Sequence, residues 1–119
     1  MGYMRHNAIV VTSYSDELIE TAHKLAVEIF EDVSTITPSK TNGYQSFLVP
    51  PDGSKEGWDE SDAGDKNRDK FIAWLDSQRY DDGSTSLDWV EVQYGDDNRE
   101  TIIIRDSDVR LRNDSGKED

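Results

Sequence analysis

Cysteine is absent from this chain, which excludes a disulfide framework, a thiolate nucleophile and a cysteine-ligated zinc centre and fits a reducing compartment. Proline is scarce, with 3 residues, of which Pro50 and Pro51 are adjacent. Long apolar runs are missing too. None approaches the roughly 20 residues a membrane-spanning helix needs, and residues 1–7 carry Arg5 without a following apolar stretch of signal-peptide length. The expected location is the cytoplasm. Positive charge is the last shortage: 13 Lys and Arg stand against 26 Asp and Glu, for a net charge of -13 at pH 7. Such a surface repels phosphate backbones and anionic headgroups over a Debye length of roughly 8 Å. Neither direct nucleic-acid binding nor a membrane role is expected, whereas a protein with a basic surface is attracted. The same charge also confers solubility.

Although only 34% of the 119 residues are apolar and 33% are charged, the apolar ones gather into short dense runs. One core and one domain over residues 1–119 are expected, with an ordered core over about 8–105 and a frayed tail over 106–119. Ala8, Ile9, Val10 and Val11 form an unbroken β-rich run, read as a strand buried on both faces. Ser15 before Asp16 and Glu17 is a good N-cap, the carboxylates lying on the positive end of the helix dipole. Leu18, Ala22, Leu25, Ala26, Ile29 and Val33 then recur at three- and four-residue steps, widened by Ile19 and Phe30, with Val27 on the polar side. Residues 33–37 and 44–49 read as a hairpin about Asn42-Gly43, closed off by Pro50-Pro51.

Residues 50–66 form the longest expected loop, followed by a second helix over about 65–80 with Phe71, Ile72 and Leu75 buried. In the strand over about 87–94, Val90, Val92 and Tyr94 are expected to pack while Trp89, Glu91 and Gln93 face solvent. A last strand over 101–105 contains Ile102, Ile103 and Ile104. The predicted fold class is α+β, with the order β-α-β-β-α-β-β. Its first six elements match the ferredoxin-like split βαβ arrangement, an antiparallel sheet with both helices on one face, its first and third strands central, and the added C-terminal strand beside the fourth.

Motifs for chemistry are sparse. His6 and His23 lie in no metal-ligand or triad pattern, and no glycine-rich phosphate loop occurs. Aligned with the calcium loop of an EF-hand, Asp59, Ser61 and Gly64 fit, but Ala63 and Lys70 fall where oxygen ligands are required. No catalytic residue, metal or cofactor is assigned; an irregular cation site on Asp59, Asp62 and Asp65 is the weaker reading. The more informative feature is acid. Between residues 81 and 100, Asp81, Asp82, Asp88, Glu91, Asp96, Asp97 and Glu100 stand against Arg99, a sum of -6, and residues 50–66 add another -4. If the two segments share a face, they engage a basic site, with Trp58 and Trp89 as aromatic anchors.

The stretches Arg5-His6-Asn7-Ala8-Ile9-Val10-Val11-Thr12-Ser13 and Pro51-Asp52-Gly53-Ser54-Lys55-Glu56-Gly57-Trp58 resemble small acidic proteins of phage or prophage type. That resemblance implies an inhibitor or accessory protein directed at a host protein and carries no functional residue with it. The leading expectation is a non-enzymatic acidic binding module, its contact residues Trp58, Trp89, Asp81, Asp82, Asp96 and Asp97. The alternatives are a small-molecule or divalent-metal-binding protein, enzymatic or not, with residues 50–66 as a lid, and a structural component in which residues 102–104 pair two copies into a homodimer.

Overall fold

A computed structural model describes residues 5–55, 57–95 and 100–108. Strand β1 (His6–Ser13) leads into helix α1 (Asp16–Phe30), followed by β2 (Thr37–Pro38), β3 (Gln45–Val49), α2 (Asp59–Ser77), β4 (Leu87–Tyr94) and β5 (Ile102–Asp106). The strands form one sheet in the order β2-β3-β1-β4-β5, and every neighbouring pair is antiparallel. As expected, the protein is α+β, with β1 and β3 inside the sheet and the last strand beside the fourth.

Side chains alternate across the pleat, and the two faces of this sheet have different fates. Ile9 and Val11 of β1, Phe47 and Val49 of β3, and Leu87 and Trp89 of β4 join Ile19, Ala22 and Ala26 of α1 and Phe71, Ile72 and Leu75 of α2 in a single buried cluster. Both helices therefore cover one face. Each large aliphatic or aromatic side chain in that cluster contributes on the order of 1.5–3 kcal/mol. Among the described residues no helix covers the opposite face, so Val10, expected to be enclosed, is 38% exposed, as is Leu48 beside it.

Helix α1 starts where its cap demands, with the Leu18 amide donating to Ser15 Oγ at 3.3 Å. It ends at Glu31, whose φ of 69° and ψ of -56° form a γ-turn closed by the Asp32 amide on the Phe30 carbonyl at 2.8 Å. The hairpin turns on Asn42 and Gly43, both with positive φ. Its first arm is shorter than expected. Only Thr37 and Pro38 pair as a strand, and residues 33–36 run past β3, held where the Ser34 amide donates to the Leu48 carbonyl and Ser34 Oγ accepts from the Leu48 amide.

Three further expectations are corrected. Helix α2 begins at Asp59, so the stretch between β3 and α2 ends at residue 58 and not at residue 66. Its first turns bury Ser61, Gly64 and Arg68, which continue the spacing of Phe71 and Leu75 but are not hydrophobic. A Cβ on Gly64 would lie 2.5 Å from Asp52 Oδ2, so a larger residue there would displace that exposed carboxylate. In β4 the faces are exchanged: Leu87, Trp89 and Glu91 point at the helices and are buried, since the bulkier Leu and Trp fill the core while Val90 and Val92 lie on the helix-free side. Finally, residues 106–108 do not fray. The Ser107 amide donates to the Trp89 carbonyl at 3.0 Å, and Arg79 Nη2 donates to the Ser107 carbonyl at 3.0 Å.

Candidate functional site

The expected contact residues are not brought together. Trp58 is 45% exposed at the N-terminus of α2, with Lys55 Nζ 6.0 Å from its ring centroid. Asp81 and Asp82 lie in the turn beyond the C-terminus of that helix, where Asp82 Oδ1 accepts from the Ser84 amide and hydroxyl. The 19 residues of α2 at about 1.5 Å each put roughly 28 Å between these two places. Trp89 is not an anchor at all, because it is buried in the core. Asp96 and Asp97 lie outside the described residues.

The described acids of the two segments are spread along α2 and the turn beyond its C-terminus. Asp59, Glu60 and Asp62 occupy the first turn of α2, where the helix dipole favours negative charge. Glu91, counted with the surface acids in the sequence, is buried and consumed internally. Its Oε1 accepts from Arg105 Nε at 2.6 Å and its Oε2 faces Arg68 Nε at 3.5 Å. Arg68 also reaches Asp65 and, at 3.9 Å, Asp52, and Arg105 reaches Asp69 at 3.0 Å. Burial by itself would lower the proton affinity of Arg105, but the hydrogen bonds and charges of Glu91 and Asp69 outweigh it and leave the guanidinium above its ordinary range.

A cleft of about 440 Å³ opens beside this network, lined by Asn7, Asp69, Gln93 and Ile104 as well as the ion pairs. Its two guanidinium groups are each already matched by carboxylates. The network clamps α2 to β4 and β5. Arg68 could have been found in the sequence from its place in the series Ser61, Gly64, Arg68, Phe71, Leu75.

Both histidines make contacts within the fold. His23 Nε2 is hydrogen-bonded to the Ser34 carbonyl oxygen at 2.8 Å while its ring packs edge-on against Phe47, and His6 packs against Tyr94. Asp59, Asp62 and Asp65 follow one another along α2 without converging. Among the described residues no group of three or more His, Asp or Glu side chains is placed to hold a metal ion.

A further depression lies on the helix-free face. It measures about 360 Å³, has an aliphatic floor of Val10, Val90 and Ile103 and is rimmed by Asp88, Asp106 and Asp108. Register explains the floor, since Val10 pairs with Val90 and Val92 with Ile103. Partial burial, followed by the charge of Asp108, raises the proton affinity of Asp88 above the usual carboxylate range. Asp106 and Asp108 were hidden in the sequence because they follow the last apolar run.

That shift has a sign that can be measured. A carboxyl that binds its proton more tightly in the folded state stabilises the fold below its unfolded pKa, and the contribution is lost as pH rises through its raised folded value. Asp88→Asn is therefore expected to raise stability at pH 7 by a few tenths of a kcal/mol, small because the side chain is solvent-exposed. The gain should vanish below the carboxylate range, as followed by thermal melts between neutral and acid pH.

Comparison with known proteins gives no match: no protein-family model, no curated protein and no solved structure is significantly similar to the chain. Among the described residues no helix is long and apolar enough to cross a membrane.

Proposed function

We propose that this protein is a non-enzymatic binding module that takes a basic protein partner on the helix-free face of its sheet. The observation that carries the reading is the depression over β1, β4 and β5, where Val10, Val90 and Ile103 offer apolar contact inside a rim of Asp88, Asp106 and Asp108. Interfaces of this kind use an apolar centre for affinity and a charged rim for steering and register. The raised proton affinity of Asp88 beside Asp108 supports it further, since an incoming Lys or Arg would relieve the crowding of like charge. The concrete form is a phage-type inhibitor or accessory protein acting on a nucleic-acid-handling host protein, a step that rests on sequence resemblance alone.

Titration with capped hexalysine, followed by amide chemical shifts, tests the location. Shifts are expected to concentrate at Val10, Asp88, Val90, Ile103 and Asp106, to fade with added salt, and to disappear in the Asp88→Asn, Asp106→Asn, Asp108→Asn triple variant. The Asp81→Asn, Asp82→Asn variant should bind as the native protein does. Shifts spread evenly along the acids of α2 would sink the reading.

A further inference from the structure

The two outer edges of the sheet differ. β2 is 2 residues long and contains Pro38, a short proline-bearing edge of the kind that resists further pairing. β5 spans 5 residues without proline, and among the described residues it pairs with β4 alone. Its three consecutive isoleucines Ile102, Ile103 and Ile104 remain 39%, 62% and 39% exposed. A strand edge in this state is a template for another strand, with the backbone supplying hydrogen bonds and alternate side chains supplying specificity.

Charge decides what that strand can be. Glu100, Asp106 and Asp108 flank the isoleucines, and the whole chain carries -13. Arg105 itself is bound to Glu91 and Asp69. Two copies paired through β5 would bring these acids against each other, and like charges directly opposite across a sheet are destabilising. A cationic strand meets the opposite charge at the same positions.

We infer that β5 accepts an extended partner segment of alternating aliphatic and Lys or Arg residues, which joins the sheet as a sixth strand. The aliphatic set then lies beside Ile103 on the helix-free face, and the Lys or Arg set answers the net negative charge of the chain. The inference rests on the proposed basic partner and adds the main chain of β5 as the element that recognises it.

The test uses the capped peptide Lys-Val-Lys-Val-Lys-Val and two forms of it, N-methylated on one or the other alternate set of residues. The parent peptide should slow hydrogen exchange of the β5 amides by about tenfold or more at saturation, as new interstrand hydrogen bonds require. One methylated form should lose about tenfold or more in affinity while the other is tolerated, because only one edge of an added strand faces β5. Binding by both methylated forms without loss would overturn strand addition and leave charge-driven docking intact. If hexalysine and all three peptides left the shifts of Asp88 and Asp106 unchanged, the basic-partner reading would fall as well. Sedimentation showing a dimer of the peptide-free protein, with β5 amides already protected, would assign the edge to a second copy and overturn the inference.

Discussion

Glu91→Leu is expected to cost about 3–5 kcal/mol of folding stability, because it leaves buried guanidinium charge without its central counterion. Arg68 and Glu91 have side chains only 8% and 4% exposed, so water cannot replace the lost carboxylate. A small domain has on the order of 5–15 kcal/mol in total, and the variant should therefore unfold at a much lower urea concentration with little change in slope. The control is Glu91→Leu combined with Arg68→Leu. Replacing both buried charges with aliphatic groups should recover a large part of the loss, since an apolar pair avoids the desolvation that a lone charge suffers. If the single and double variants were equally unstable, the Arg68 to Glu91 contact would not be what clamps α2 to the sheet.

Trp89 should divide its substitutions sharply. Trp89→Ala is expected to lose about 3–5 kcal/mol by opening a cavity in the core. Trp89→Phe should stay within about 1 kcal/mol of the native protein, because among the described residues the buried indole Nε1 has no hydrogen-bond partner and removing an unsatisfied donor offsets part of the lost volume. Urea melts of both variants, with the intrinsic fluorescence of Trp58 and Trp74 as reporter, measure the difference. A Trp89→Phe loss as large as that of Trp89→Ala would mean that the indole nitrogen has a partner after all.

The element order was legible because local signals agreed with the global fold. Ser15 capped α1, the three- and four-residue spacing set its buried face, Asn42-Gly43 fixed a turn and Pro50 ended β3. Failures occurred where polarity and position separated. The first turns of α2 pack through Ser61, Gly64 and Arg68, which no hydrophobic pattern marks, so the helix seemed to start later. In β4 both alternate sets contain apolar or aromatic side chains, and only the partnering of Glu91 with Arg68 and Arg105 reveals which set is inside. The acidic surface was legible as composition but not as geometry. Glu91 turned inward, Asp81 and Asp82 separated from the α2 acids by the length of the helix, and Asp106 and Asp108 reached the helix-free face only through the pairing of β4 with β5.

The place of β1 in the sheet also fixes the order in which the molecule can be completed. Its first neighbour, β3, joins Val10 to Leu48, but its second, β4, joins Val10 to Val90, 80 positions along the chain. Loop closure over that distance is slow, and contacts of high sequence separation delay folding. During synthesis, then, β1 waits with one side unsatisfied until β4 has emerged, and Ile9 and Val11 lack part of their cover throughout. A nascent chain in that condition has to avoid pairing with its neighbours on the same message. The dense negative charge, whatever it later binds, is already acting at that stage as the repulsion that keeps unfinished copies apart.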